Sequence, residues 1–319
     1  MPVNDTATIT PTIFRRVLRL MGNRFEISVV ATEEEESWAF NCIETAIGEI
    51  QRIERLLTTY NENSQTNLVN RYAGIGPVKV DKEFIDLVKR SGKISEITQG
   101  AFDISYGSID RRLWNFDKNM TSLPSVETAK QLVRLINFKN VITDSENSTV
   151  FLKEKGMRIG FGGIGKGYAA ERAKYILKQN GVSSGIVNAA GDLTTWGFQP
   201  DGKPWTIGIA CPDRLQTPFS WLNITDMSVA TSGNYEKFVM IAGKKYSHTI
   251  DPRTGLPVHG IKSVTIIGPN AEIADAMATP VMIMGIKVGL HMINQVKGIA
   301  CIIIDDKDNI YTSANINIL

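Results

Sequence analysis

Cysteine and histidine are scarce in this chain of 319 residues, which contains only three of each. No Cys-x-x-Cys pair and no cluster of cysteines with histidines occurs, so the sequence predicts neither a structural zinc site nor a disulfide framework. Cys42, Cys211 and Cys301 each lie in an apolar stretch, and the expected role of each is that of a buried, structural residue.

The sequence also lacks any uninterrupted apolar run of ~18 residues, so no transmembrane segment is expected. Residues 1–12 are polar and contain no apolar segment typical of a signal peptide. No cysteine that could carry a lipid anchor precedes Cys42. From the chain as given we expect a cytoplasmic protein. The alternative is a lipid-anchored protein on the periplasmic face of the cell envelope, if a leader has been removed.

A strong charge of either sign is absent as well, since the formal net charge is only +2 at pH 7. The densest basic stretch, from Arg15 to Arg19, alternates with apolar residues, which is typical of a half-buried edge strand. Nucleic acid is therefore not an expected partner. A content of 43% hydrophobic and 21% charged residues is ordinary for a globular protein.

The spacing of apolar residues predicts an α+β fold. It indicates helices at 36–57, 83–99 and 126–137, after the glycine-rich segment that begins at residue 160, and around Asp275. It indicates strands at 25–30, 184–188, 204–211, 219–225, 236–241, 261–268 and 299–304, the last of them buried and central. Gly100 is expected to end the second helix. Because many strands follow one another as hairpins, we predict mixed, mostly antiparallel sheets rather than a doubly wound parallel sheet.

One histidine lies in a turn that suits phosphate chemistry. His248 stands three residues before Asp251, and prolines and a glycine restrict the turn around them. An imidazole there can act as a general base or hold a phosphate near neutral pH. A purely structural histidine is an equally good interpretation of the same pattern.

A carboxylate and a hydroxyl follow the histidine turn. Asp275 and Thr279 occupy positions i and i+4, which places both oxygen-bearing side chains on one face of a helix. Such a pair suits Mg²⁺, which prefers oxygen ligands and usually also holds a phosphate. The alternative is a solvated helix face or an internal cap. Apolar residues flank Asp275, however, and a carboxylate in apolar surroundings needs a partner.

A glycine-rich segment, 160–168, precedes another predicted helix. Glycines let backbone groups approach a ligand closely, and the N-terminus of a helix favours anions. Lys166 adds a positive charge, but Gly167 replaces the hydroxyl residue that a P-loop requires. The alternative is a tight strand-to-helix turn that binds nothing.

Three weaker signals are polar segments that contain an aromatic residue. Each can also be an ordinary capped turn or a packed ring. They are Gly100-Ala101-Phe102-Asp103, the loop with Tyr60, Ser64 and Asn70, and the hydroxyl-rich segment from Val229 to Tyr235.

Taken together and in this order, the motifs resemble the FAD:protein FMN transferase family, also called the ApbE family of flavin transferases. The resemblance covers about residues 20 to 310. It is carried by Met21-Gly22, Tyr60 with Ser64 and Asn70, Gly100 to Asp103, Gly162 to Ala169, Asn188 with Gly191-Asp192, Ala230 to Tyr235, His248 to Gly255, and Ala274-Asp275 with Thr279.

The resemblance implies a single catalytic domain with T-fold-like halves over 20–319, after an N-terminal extension and edge strand over 1–19. It implies Mg²⁺-dependent transfer of FMN from FAD onto a threonine or serine hydroxyl of an acceptor flavoprotein, with release of AMP. By the same resemblance, side chains of Asp275 and Thr279 and the carbonyl of Gly163 hold the metal. His248 activates the acceptor hydroxyl or steadies the phosphates, and Asp251 orients its turn. The implied FAD contacts are Met21, Tyr60, Ala101, Phe102, Asp103, Gly160, Lys166 and Thr249, the last through its backbone.

The chain departs from the family pattern at several positions. Gly160 stands where an aspartate is common, which removes one possible metal or ribose contact, and Gln65 stands where a glutamate often follows the serine. Gly165 and Ala190 also differ from the commoner residues. Two alternative functions stay open: an FAD pyrophosphatase, in which water replaces the acceptor hydroxyl, and an FAD-binding protein without turnover.

Overall fold

An antiparallel sheet of eight strands forms the centre of the molecule. The computed structural model describes residues 10–112, 120–211, 214–233 and 238–316. The strands are β1 (Thr12–Leu20), β2 (Asn23–Ala31), β3 (Val78–Lys79), β4 (Val141–Asp144), β5 (Thr149–Leu152), β6 (Gly185–Ala189), β7 (Asp192–Trp196), β8 (Trp205–Cys211), β9 (Arg214–Ile224), β10 (Ser228–Gly233), β11 (Phe238–Ile241), β12 (Lys244–Ser247), β13 (Ile261–Gly268), β14 (Ala300–Asp305) and β15 (Ile310–Thr312). The α-helices are α1 (Glu36–Leu57), α2 (Gln65–Arg71), α3 (Lys82–Ile97), α4 (Val126–Leu132), α5 (Gly165–Gln179), α6 (Ala271–Met284) and α7 (Ile286–Ile293).

The order of strands in the large sheet is β1-β2-β6-β7-β10-β13-β14-β15, and each neighbouring pair is antiparallel. Smaller antiparallel sheets are formed by β3, β5 and β4, by β8 and β9, and by β11 and β12. This architecture confirms the predicted α+β class with mostly antiparallel sheets.

The two faces of the large sheet are covered differently. Along β14, Ala300 and Ile302 join an apolar cluster with Trp205 and Ile207 of β8, so the β8–β9 hairpin covers that face. The alternate residue Cys301 joins the larger core, to which α1, α5 and α6 contribute. Because successive side chains of a strand point to opposite faces, β14, which is buried on both faces, is apolar from Ala300 to Ile304. The site described below lies where α5 and α6 meet the middle strands.

The predicted helices and strands named below are of the predicted type, but the limits or positions of some of them differ from the prediction. Helix α1 has the predicted limits, and β1 is an edge strand of the large sheet. The helix predicted at 126–137 ends at Leu132 as an α-helix. After helix α3, both Gln99 and Gly100 have a left-handed backbone conformation. The helix therefore ends before Gln99, and Gly100, the predicted terminator, is the second left-handed residue after it. The strand at 299–304 is buried as predicted, although it is seventh of eight strands rather than central.

The predicted burial of the cysteines is confirmed for two of the three. Cys42 and Cys301 are buried, whereas the side chain of Cys211 is outside the described part of the structure. Residues 1–9 and 234–237 are also outside it, including Tyr235 and the start of the strand predicted at 236–241. Strand β1 pairs with β2 along its whole length. The predicted boundary between the N-terminal extension and the catalytic domain, at residue 19/20, stays a prediction.

Within the described residues, no helix is both long and apolar enough to cross a membrane.

Candidate functional site

Helix α6 carries Asp275 and Thr279, and two side chains fix the start of this helix. Asn270 is the N-cap, and its Oδ1 accepts a hydrogen bond of 3.1 Å from the amide of Ile273. Glu171, which projects from α5, accepts one of 2.7 Å from the amide of Ala271. These bonds satisfy amides that the helix itself leaves unpaired. They also tie α6 to α5, which sets the position of Asp275.

The glycine-rich segment brings α5 unusually close to α6. The amide of Gly167 donates to Asp275 Oδ2 at 3.0 Å. A side-chain carbon at position 167 would lie only 2.1 Å from the carbonyl oxygen of Ala271, so no residue larger than glycine fits there without a shift of one helix. This contact gives Gly167 a packing role in addition to any role of its backbone in binding.

Lys166 lies between two aspartates. Its Nζ is 2.7 Å from Asp192 Oδ2 and 3.2 Å from Asp275 Oδ1. The side chains of Asp192 and Asp275 are only 6% and 8% exposed, whereas Lys166 is 24% exposed and forms the accessible side of the group. Asp192, the first residue of β7, also accepts a bond of 3.3 Å from the amide of Thr231. The three charged groups have a net charge of −1 when all are ionised.

Burial and mutual charge shift the pKa values of this group. Burial raises the pKa of Asp192 to about 7, and the charge of Asp275 adds to this effect, while Lys166 and the Thr231 amide oppose it. Burial alone lowers the pKa of Lys166, but the two carboxylates outweigh it and the net direction is upward. Lys166 is therefore a stable ammonium ion, and Asp192 bears the unfavourable excess of negative charge.

Hydroxyl groups at the end of β10 extend the polar site. Thr279 Oγ1 is 3.2 Å from Ser232 Oγ, and Thr231 Oγ1 is 2.9 Å from Thr265 Oγ1 on the neighbouring strand. Thr279 lies one helical turn after Asp275, as the spacing predicts. Thr279 and Asp192 thus both contact the end of β10, through Ser232 and Thr231 respectively.

The donor set fits a hard divalent cation. In the described part of the chain, no three His, Cys, Asp or Glu side chains gather in a way that could hold a metal. A metal at Asp275 therefore needs hydroxyl and carbonyl oxygens to complete its ligands, and Thr279 and Gly163 can supply them. The Gly167 amide, four residues after Gly163, donates to Asp275. The excess negative charge of the buried group favours such a cation.

Two of the predicted FAD contacts, Met21 and Phe102, lie against the glycine-rich segment, and Gly160 is part of it. A side-chain carbon at Gly163 would be 3.6 Å from the ring of Phe102, and one at Gly165 would be 3.6 Å from the methyl carbon of Met21. Gly160 lies beside the methyl group of Thr59, next to Tyr60. Tyr60 is 99% exposed, so its ring is free to stack on a flat ligand.

Asp103 has a different environment from a typical ligand-binding carboxylate. Its Oδ1 accepts bonds from the amide and hydroxyl of Ser105 at 2.7 and 2.6 Å, and its Oδ2 accepts one of 2.7 Å from the amide of Phe138. Burial raises its pKa, although these donors partly oppose the rise. The carboxylate thus caps a short 3-10 helix, and Ala101 is buried beside it. Contact of either residue with FAD stays a prediction.

The turn that follows β12 is held by Asp251. The carboxylate of Asp251 accepts three hydrogen bonds of 2.9 Å from Arg253, and its carbonyl accepts one of 2.8 Å from the amide of Gly255. The backbone of Thr249 donates to Ser247 Oγ at 3.0 Å and accepts from Val258 at 2.9 Å. Asp251 thus holds the backbone of this turn, and its role in orienting His248 for catalysis stays a prediction.

His248 is exposed at the start of this turn. The turn packs against the segment that contains Phe102: Ile250 clusters with Tyr106, and a side-chain carbon at Gly100 would be 4.0 Å from Arg253 Cγ. Since Phe102 in turn contacts the position of Gly163, a continuous series of contacts joins the histidine turn to the glycine-rich segment.

Asp192 and Ser232 belong to the site but were absent from the residues predicted by sequence. Both occur in segments that the motif comparison included, Gly191-Asp192 and Ala230 to Tyr235. The sequence feature that could have indicated Asp192 as a site residue is the position of its carboxylate directly after Ala190-Gly191. The sequence of these two segments does not indicate that Asp192 pairs with Lys166, because that contact forms only in the fold.

Comparisons with known proteins identify the family of this chain. The sequence profile of the ApbE family matches residues 21–303. A protein of Klebsiella pneumoniae named FAD:protein FMN transferase is 31% identical over 267 residues, which are 83% of this chain and 82% of the relative. A protein of the same name from Treponema pallidum is 28% identical over 282 residues, which are 84% of this chain and 78% of the relative.

Solved structures show the same fold. The ApbE protein from Thermotoga maritima has a TM-score of 0.83 and 29% identity, over 95% of this chain and 97% of that chain. The flavinyl transferase ApbE from Pseudomonas stutzeri, in its apo form, has a TM-score of 0.82 and 24% identity, over 96% of each chain. Since the family profile spans most of the sequence and the Klebsiella relative matches a similar extent, this chain belongs to the ApbE family.

Proposed function

We propose that this chain is a Mg²⁺-dependent FAD:protein FMN transferase. It moves FMN from FAD onto a threonine or serine hydroxyl of an acceptor flavoprotein and releases AMP. The names of the relatives support the class of reaction. The observation that carries the proposal is the Lys166 ammonium held between two buried carboxylates at the start of α5, beside the glycine-rich segment. This group combines sites for a divalent cation and for phosphate oxygens.

The reaction exchanges the phosphoanhydride bond of FAD for a phosphoester bond to the acceptor. The acceptor oxygen forms a bond to the phosphorus on the FMN side of the pyrophosphate, and the bond from that phosphorus to the AMP oxygen breaks. The acceptor hydroxyl loses its proton, and AMP leaves with the bridging oxygen. Mg²⁺, when held by Asp275, Thr279 and the Gly163 carbonyl, supplies neutralisation of the charge that develops on the pyrophosphate.

The residues of the chain have separate tasks in this proposal. Lys166 contacts phosphate oxygens from the accessible side of the charged group. Met21, Tyr60 and Phe102 bind the ring systems of FAD, and the backbone of Thr249 is a further FAD contact. His248 accepts the proton of the acceptor hydroxyl, because its exposed position leaves it open to a protein substrate. Asp251 orients the histidine turn through Arg253 and is a positioning residue.

The experiment is incubation with FAD and Mg²⁺, with and without a flavin-free domain of a flavoprotein that carries its FMN covalently. The expected result is a mass gain of FMN on the acceptor, together with one AMP for each FMN transferred. Omission of Mg²⁺ should abolish both products. Release of AMP and free FMN at the same rate without the acceptor would show a pyrophosphatase instead. Retention of intact FAD under all conditions would show a binding protein without turnover.

A further inference from the structure

Both carboxylate oxygens of Asp275 already have partners. Oδ1 accepts from Lys166 Nζ at 3.2 Å, and Oδ2 accepts from the Gly167 amide at 3.0 Å. The Gly167 amide is fixed by the close packing of α5 on α6, since a side-chain carbon there would lie 2.1 Å from the Ala271 carbonyl oxygen. The Lys166 ammonium is at the end of a long, flexible side chain. Of the two partners of Asp275, it is therefore the one that can move away.

A divalent cation and the ammonium cannot share this carboxylate without cost. A metal bound to Asp275 would lie within a few ångströms of Nζ, and two positive charges at that distance repel each other. Lys166 has a second anion to retain it, because Asp192 Oδ2 is 2.7 Å away and closer than Asp275. The ammonium can therefore leave Asp275 and keep the bond to Asp192.

We propose that Lys166 is an internal counter-ion that occupies the metal-binding carboxylate of Asp275 and withdraws when a pyrophosphate binds. This inference rests on the proposed function for the identity of the metal and the ligand. The pyrophosphate offers Lys166 new anionic partners on its accessible side, and Asp275 is then free for Mg²⁺. Asp192 is the positioning residue that keeps the ammonium at the site in both states.

The arrangement predicts how metal affinity depends on Lys166. In the absence of FAD, Lys166→Gln removes the competing cation and leaves two buried carboxylates without an ammonium. Mg²⁺ should then bind roughly tenfold or more tightly than in the unaltered chain, as expected for relief of repulsion between charges a few ångströms apart. Asp192→Asn should have the opposite effect, because Lys166 is then held by Asp275 alone.

The experiment is calorimetric titration of Mg²⁺ into the nucleotide-free full chain, with circular dichroism to verify folding. Lys174→Gln is the matched control, since Lys174 lies on the same helix and binds Thr194 Oγ1 at 3.1 Å rather than these carboxylates. Lys166→Gln combined with Asp275→Asn should lose the gain in affinity, which locates the metal at Asp275. A second readout is thermal unfolding, in which Mg²⁺ should stabilise Lys166→Gln more than the unaltered chain.

Equal or weaker Mg²⁺ binding by folded Lys166→Gln would overturn the inference. The coupling of FAD and Mg²⁺ binding provides a further check, because the factor by which FAD tightens Mg²⁺ binding should shrink when Lys166 is absent. If FAD tightened Mg²⁺ binding by the same factor with and without Lys166, the proposed withdrawal of Lys166 from Asp275 would also be contradicted. The two proposals fail differently: transfer of FMN by the unaltered chain tests the function, whereas the metal affinity of Lys166→Gln tests only the counter-ion.

Discussion

The backbone amide of Gly167 donates a hydrogen bond of 3.0 Å to the carboxylate of Asp275, across the contact between α5 and α6. This bond joins the glycine-rich segment to the helix that carries the proposed metal ligands. It also determines the direction in which the other carboxylate oxygen of Asp275 points, toward Lys166. Packing of the two helices and the chemistry of the site therefore depend on one another.

Gly167→Ala should separate the two helices, because the added carbon would lie 2.1 Å from the Ala271 carbonyl oxygen and 2.8 Å from Asp275 Cβ. We expect a loss of about 1–3 kcal/mol in the free energy of unfolding, as for overpacking of a core, and weaker Mg²⁺ binding. Urea denaturation and calorimetry measure these effects. Gly162→Ala is the control, since nothing lies within 4 Å of its added carbon. Equal stability of both variants would contradict the packing role of Gly167.

Asp275→Asn should reduce Mg²⁺-dependent formation of AMP by at least about a hundredfold, a typical effect of losing one charged contact in the transition state. The asparagine keeps an oxygen for the Gly167 amide, so the fold should persist. The measurement is the rate of AMP release at several Mg²⁺ concentrations. Glu272→Gln is a control on the same helix, because Glu272 binds Arg90 rather than Lys166. Full activity of Asp275→Asn at low Mg²⁺ would rule out the assigned metal site.

His248→Ala should slow the transfer step far more than it weakens FAD binding. A general base typically contributes about 10²–10⁴-fold to the rate, whereas the exposed imidazole is not expected to dominate binding. Flavin fluorescence measures FAD affinity, and the mass gain of the acceptor measures transfer. His291→Ala, on the exposed side of α7, is the control for loss of a histidine. A parallel loss of affinity and rate would assign His248 to binding instead.

Asp192 should make stability depend on pH in one direction. Its pKa rises from 3.8 to about 7 on folding, so between these values the folded chain binds a proton that the unfolded chain has released. The free energy of unfolding should therefore fall as pH increases from about 4 to about 7, and this contribution should stay constant above that range. Asp192→Asn should flatten this part of the profile. Urea denaturation without Mg²⁺ at pH 5 and pH 8 tests the slope, and an identical slope in the variant would refute it.

Tyr168→Phe should affect stability rather than flavin binding. The Tyr168 hydroxyl donates to Glu83, which also accepts bonds from Arg52, so Glu83 keeps a partner in the variant. Burial and the Glu83 contact raise the pKa of Tyr168, so it remains a donor at neutral pH. Loss of this bond should cost about 1 kcal/mol. Denaturation and flavin fluorescence separate the two effects. A large loss of FAD affinity would place Tyr168 in the binding site.

Local sequence pattern was enough to predict those features that depend on neighbours in the chain. The helical stripe of α1 and the alternation in β2 predict the observed elements because one face of each element is buried in the core. The i, i+4 spacing also placed Thr279 one turn after Asp275. The family resemblance rested on the order of short motifs, and the comparisons confirm the family.

Tertiary structure decided which charges meet. Asp192 and Lys166 meet because α5, which carries Lys166, packs on β6 and β7, and Asp192 is the first residue of β7. The inward orientation of the Asp103 carboxylate likewise depends on donors from Ser105 and Phe138, the latter far along the chain. By itself the sequence determined the elements and the family. The partner of Lys166 and the protonation of Asp192 required the fold, because long-range contacts and burial are not encoded in local periodicity.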